Sequence, residues 1–107
     1  LARRAISLAP HDSVAITDST IAVGFGWDPL PGGVAIDLDT SCIALDAKGG
    51  LLMEETVYFA RLHNPSNSIR HTGDETDGAE DLGQGDDEII VVDLHRVPAQ
   101  VHALFFV

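Results

Sequence analysis

The side chains in this sequence that could do chemistry are mostly carboxylates. Between Thr72 and Asp93 stand nine acidic residues (Asp74, Glu75, Asp77, Glu80, Asp81, Asp86, Asp87, Glu88 and Asp93) and no Lys or Arg. From His71 to Glu88 they alternate with glycines, and there is almost no apolar side chain. Glycine lets a backbone turn sharply and bring its carbonyls inward. Carboxylates crowded together repel at neutral pH, so solvent, a bound proton or a cation must offset them. Dense carboxylates and available carbonyls suit a hard, oxygen-seeking ion such as calcium, which takes six to eight oxygens at about 2.3–2.6 Å. A solvated acidic linker is the other reading that composition leaves open.

Two further groups extend the acidic pattern. Asp28 follows Gly24-Phe-Gly-Trp27, and Asp37 and Asp39 stand two apart. On a strand that spacing places both side chains on one face. Such a pair is either the polar face of an edge strand or part of a site. An EF-hand does not fit. Counting from Asp77, Asp81 and Glu88 fall at positions five and twelve, but Ala79 and Leu82 occupy positions that need a ligand and a glycine.

Other chemistries find less support. The five histidines have no HExxH spacing, and there is no GxGxxG, Walker loop or GxSxG. A lone cysteine, Cys42, allows neither an intramolecular disulfide nor a CxxC or zinc-ribbon site. It reads as a small buried residue in a reducing, cytoplasmic setting. His71 reads as a hydrogen-bonded structural histidine beside the acidic segment, and Trp27 as a core residue or a lid on one end of the fold.

The elements that must position these groups are short strands. Apolar residues alternate with period two, which predicts strands over 14–17, 20–27, 34–45, 56–62, 68–72, 88–94 and 102–107. Asp46-Ala-Lys-Gly-Gly50 predicts a hairpin turn, Asn64-Pro-Ser-Asn67 a second turn, and Val97-Pro-Ala-Gln-Val101 a helical turn with its proline early. Many short strands and frequent turns point to an all-β sandwich, with a small β-barrel as the alternative. At 107 residues this is one domain at most. It is 45% hydrophobic but only 6% aromatic, so its core must be aliphatic. The chain begins at Leu1 and ends in the apolar run Ala103-Leu-Phe-Phe-Val107, which suggests a fragment whose partner strands lie elsewhere.

Six Lys and Arg against seventeen Asp and Glu give a net charge of −11. That argues against binding nucleic acid through phosphates and against an anionic membrane surface. No apolar run approaches the ~20 residues of a spanning helix, and no basic-then-apolar leader opens the sequence.

Taken together, Val23-Gly-Phe-Gly-Trp-Asp28, Ile36-Asp-Leu-Asp-Thr-Ser41, His71-Thr-Gly-Asp74, Gly85-Asp-Asp-Glu88 and Val92-Asp-Leu94 followed by Val97-Pro-Ala99 resemble the TerD family, named for bacterial tellurite resistance. The pieces stand in the family's order over nearly the whole chain. The resemblance implies a β-sandwich and a non-enzymatic calcium module of a chemical-stress response. It makes residues 1–107 part of one TerD-like domain with an acidic Gly-rich loop at 72–87. It implies Asp28, Asp37, Asp39, Asp74, Asp86, Asp87 and Glu88 as calcium ligands. There are departures. Gly73-Asp74-Glu75 stands where the family has Gly-Asp-Asn, Phe59-Ala60-Arg61 where it has Tyr-Asn-Asn, and the stretch before Gly85 is longer than usual. Two other functions are weighed against the calcium module. One is an acidic domain that binds a basic protein partner without metal. The other is a metal-dependent phosphoesterase, for which only Arg70 and His71 lie near the acidic cluster.

Overall fold

A computed structural model describes residues 5–26, 39–72 and 88–107. Its strands are β1 (Thr20–Phe25), β2 (Cys42–Leu45), β3 (Ile69–His71), β4 (Glu88–Asp93) and β5 (Ala103–Phe106). They form two antiparallel sheets, one of order β1-β4-β3 and one pairing β2 with β5. Cys42 and Val57 from one side meet Ile69, Ile90 and Val92 from the other in a single buried cluster. Ile21, Phe25, Val97, Leu104 and Phe106 pack around it. Two antiparallel sheets over one core make a β-sandwich, and the described strands do not close into a barrel.

Strand β4 sets the pattern. Glu88, Ile90 and Val92 are buried while Ile89, Val91 and Asp93 are half-buried, the period-two alternation of a strand with one face on the core. Its position between β1 and β3 pairs both of its edges. The Phe25 and Phe106 rings, with centroids 6.5 Å apart, join the two sheets.

The predicted hairpin after β2 is present. Asp46 Oδ1 accepts the amides of Lys48 (2.9 Å) and Gly50 (2.7 Å). Gly49 takes φ +81°, the left-handed region that favours glycine. A Cβ on Gly50 would lie 2.9 Å from Asp46 Oδ2.

Several expected elements differ. Residues 14–17 form no strand, and Val14 and Ile16 are exposed. Within the expected strand over 34–45, residues 34–38 lie outside the described residues, and among the rest Cys42–Leu45 is regular strand. The return strand over 56–62 is broken into isolated bridges, Val57 with Cys42 and Tyr58 with Arg61. A short 3-10 turn, Met53–Glu55, lifts the chain out of the ladder before it. There the Thr56 hydroxyl accepts the Ala44 amide (3.2 Å) and donates to the Leu52 carbonyl (3.0 Å), filling the gap. Beyond it the chain folds back at once, because Tyr58 and Arg61 exchange backbone hydrogen bonds of 3.0 and 2.9 Å. The turn expected at 97–101 is present, closed by the Val101 amide donating to the Pro98 carbonyl (3.0 Å). No helix among the described residues is long and apolar enough to cross a membrane.

A buried polar plug fixes the turn before β3. Asn64 Nδ2 donates to Glu55 Oε1 and to Ser68 Oγ, each at 2.9 Å, and its Oδ1 accepts the Ile69 amide at 3.0 Å. Asn67, at φ +62°, supplies the left-handed residue of the turn. Replacing Asn64 by Ala strands a carboxylate and an amide in the interior, so urea denaturation is expected to show a loss of about 3 kcal/mol. Ser68→Ala, which leaves the other two bonds in place, should cost about 1 kcal/mol.

Burial pushes the Cys42 thiol from 9.0 up to about 12. The folded chain therefore keeps a proton that the unfolded chain gives up. This group's contribution to stability is complete below pH 9 and is lost as pH rises from there toward 12. Stability curves over that range should fall less steeply for Cys42→Ala than for the parent. Native Cys42 should react with a thiol reagent at pH 8 only as fast as the protein opens.

Candidate functional site

The polar cluster closest to the acidic motifs is built on the inner face of the three-stranded sheet. Glu88 opens β4 and its side chain shares the inward face with Ile90 and Val92. His71 ends β3 on the same face as Ile69. Thr40 precedes β2. All three are buried, at 5%, 8% and 4% exposure. Glu88 Oε1 accepts the Thr40 hydroxyl at 2.6 Å and the Thr40 amide at 3.1 Å. It also lies 3.1 Å from His71 Nε2, which is 3.2 Å from Thr40 Oγ1. Since the Thr40 proton goes to the carboxylate, the Nε2 proton of His71 is shared between Glu88 and Thr40. One carboxylate oxygen thus gathers three donors from two sheets.

This cluster marks where the acidic segments are rooted. Phe25, the last residue of β1, pairs with Glu88. His71 pairs with Ile90, and the Thr72 amide donates to the Ile89 carbonyl at 3.0 Å. The chain therefore leaves β1 after Phe25 and returns at Asp39 and Thr40. It leaves β3 after Thr72 and returns at Glu88. All four points lie at one end of the sandwich.

Of the residues implied as calcium ligands, Asp28, Asp37, Asp74, Asp86 and Asp87 lie outside the described residues. So do Trp27, Asp77, Glu80 and Asp81. Asp39 is exposed and lines an open groove of about 480 Å³ with Ile43, Leu51, Met53, Tyr58 and Phe59. Glu88 is enclosed as described above. No group of three or more His, Cys, Asp or Glu among the described residues is placed to hold a metal. His71 is hydrogen-bonded and buried, as read from the sequence. Thr40 was not singled out there. Its place directly after Asp39 in Ile36-Asp-Leu-Asp-Thr-Ser41 was the one available signal, and a threonine in that setting reads first as a strand residue. The buried Glu55–Asn64–Ser68 plug was likewise hidden, because nothing in Asn64-Pro-Ser-Asn67 separates a buried turn asparagine from an exposed one.

Comparison with known proteins follows the same lines. The family model of the TerD domain matches residues 5–107. The tellurium resistance protein TerZ of Serratia marcescens is 34% identical over 116 residues, covering 94% of this chain and 58% of the relative. General stress protein 16U of Bacillus subtilis is 37% identical over 110 residues, covering 95% and 55%. Stress response protein SCP2 of the same organism is 33% identical over 120 residues, covering 96% and 59%. The chain thus spans little more than half the length of these relatives. With a family match over residues 5–107 and motifs in register along it, the chain belongs to the TerD domain family.

Proposed function

We propose that this chain is a calcium-binding, non-enzymatic module of a stress-response protein of the tellurium-resistance type, working in the cytoplasm. One observation carries this reading. The two stretches that hold most of its aspartates, 27–38 and 73–87, both leave and re-enter the sandwich at the end pinned by Glu88, His71 and Thr40. Carboxylates far apart in sequence are thereby rooted together. Asp28, Asp37, Asp39, Asp74, Asp86 and Asp87 are the oxygen donors that would hold the ion, with loop carbonyls freed by the glycines. Their hard, anionic oxygens suit calcium and suit soft metals poorly. When bound, calcium supplies positive charge that offsets the repulsion among these groups. The names of the relatives, resistance and stress proteins, support a role in chemical stress.

The chemistry of the acidic stretch favours binding over turnover. Cationic side chains commonly add to a metal's charge on a phosphate; beside the acidic stretch stand only Arg70 and His71, and His71 is buried against Glu88 and Thr40.

Calorimetric titration of calcium into chelator-stripped protein, with excess magnesium and physiological salt, tests the proposal. The expected result is saturable heat at micromolar calcium that disappears in the Asp74→Asn/Asp87→Asn double variant. At a hundredfold excess over Kd, stability should rise by about 2.7 kcal/mol, a shift in Tm of roughly 10 °C or more for a domain of this size. Folded protein that gives no heat would overturn the proposal. Salt-sensitive binding of a basic protein in the presence of chelator would then favour the metal-independent acidic domain.

A further inference from the structure

Glu88 stands in the ligand set that the family motifs imply, yet its surroundings are those of a structural pin. We infer that Glu88 is a positioning residue that holds the roots of the acidic segments together through Thr40 and His71, and that the aspartates alone take the ion. This inference rests on the calcium reading and refines its ligand set.

Three features carry it. First, Oε1 already receives the Thr40 amide, the Thr40 hydroxyl and His71 Nε2 within 3.1 Å. Three donors turn their positive ends toward that oxygen, which leaves no room there for a cation. Second, Glu88 is 5% exposed, and its side chain lies on the inward face of β4 with Ile90 and Val92. It is therefore directed at the core. Third, each member of the pin stands close in sequence to aspartates of the motifs. Thr40 follows Asp39, Glu88 follows Asp87, and His71 comes three residues before Asp74. Slack at the pin moves the backbone from which those ligands hang. Groups that orient metal ligands without touching the ion typically change affinity by ten- to a hundredfold when removed.

The test compares Thr40→Val, Glu88→Ala and Glu88→Gln with the parent. Calcium affinity is read by calorimetry, and amide hydrogen exchange is read in chelator. Thr40→Val removes a hydroxyl but no carboxylate. It should weaken calcium binding about tenfold and speed exchange of the Thr72 amide by a similar factor, with the hairpin amides of Lys48 and Gly50 unchanged. Glu88→Ala should lose more than tenfold, and Glu88→Gln should recover most of that loss, because its carbonyl can accept the same three donors. The inference is overturned if Glu88→Gln binds calcium as weakly as Glu88→Ala while Thr40→Val binds like the parent, since Glu88 would then be a ligand. If the parent itself gives no heat, the calcium reading fails separately and the exchange data decide the pin. Faster Thr72 exchange in Thr40→Val upholds it, and parent-like exchange overturns it.

Discussion

A carboxylate taken out of water inside a small sandwich must be matched by donors, or it destabilises the fold that encloses it. Glu88 meets that requirement with the Thr40 hydroxyl, the Thr40 amide and the His71 imidazole. Those donors arrive from the start of β2 and the end of β3, while Glu88 itself begins β4. Satisfying one buried charge therefore fixes the relative position of three chain segments and ties the two-stranded sheet to the three-stranded one. Hydrogen bonds to a charged group contribute about 1.5–3 kcal/mol each. That gain is set against the cost of taking the carboxylate out of water, so the arrangement fixes geometry more than it adds net stability.

The same constraint explains why a chain with a net charge of −11 can carry its densest acidic stretch between two strands of one sheet. Strands β3 and β4 pair through Thr72 and Ile89, so the stretch between them begins and ends at fixed points. The apolar side of β4, Ile90 and Val92, is held in the core behind the pin. The interior supplies the rigidity, and the described ends of the acidic stretch, Thr72 and Glu88, are fixed at its edge. A cation gathered there would stabilise the fold by binding it in preference to the unfolded chain.

Much of this architecture was legible in the residues. Period-two alternation found β1, β4 and β5 because each places apolar side chains on a shared inner face, and β3 because Ile69 and His71 share one. The glycines at 49 and 50 found the hairpin, in which Gly49 takes the left-handed conformation of the turn that brings Leu45 opposite Leu51. The failures share a cause. Val14-Ala-Ile-Thr17 and Thr56–Leu62 have strand composition, but pairing depends on what lies beside them, and a single sequence does not contain that. Tyr58 and Arg61 close on each other, and Thr56 fills a gap left by a 3-10 turn, both long-range outcomes of packing. The site divides in the same way. The aspartates were visible by density and spacing. Thr40 was not, because its role depends on Glu88, forty-eight residues away. Carboxylates that bind and carboxylates that brace have the same letters, and only burial and hydrogen bonding tell them apart.

The central claim is that ion binding occurs at the pinned end of the sandwich and is felt through its roots. The most direct measurement is an amide NMR titration of the folded chain with calcium in magnesium-containing buffer. The account predicts saturable shifts concentrated at Gly26, Asp39, Thr40, Thr72 and Glu88, with the hairpin amides of Lys48 and Gly50 unmoved. Shifts spread evenly over the molecule, or centred on the hairpin, would contradict it.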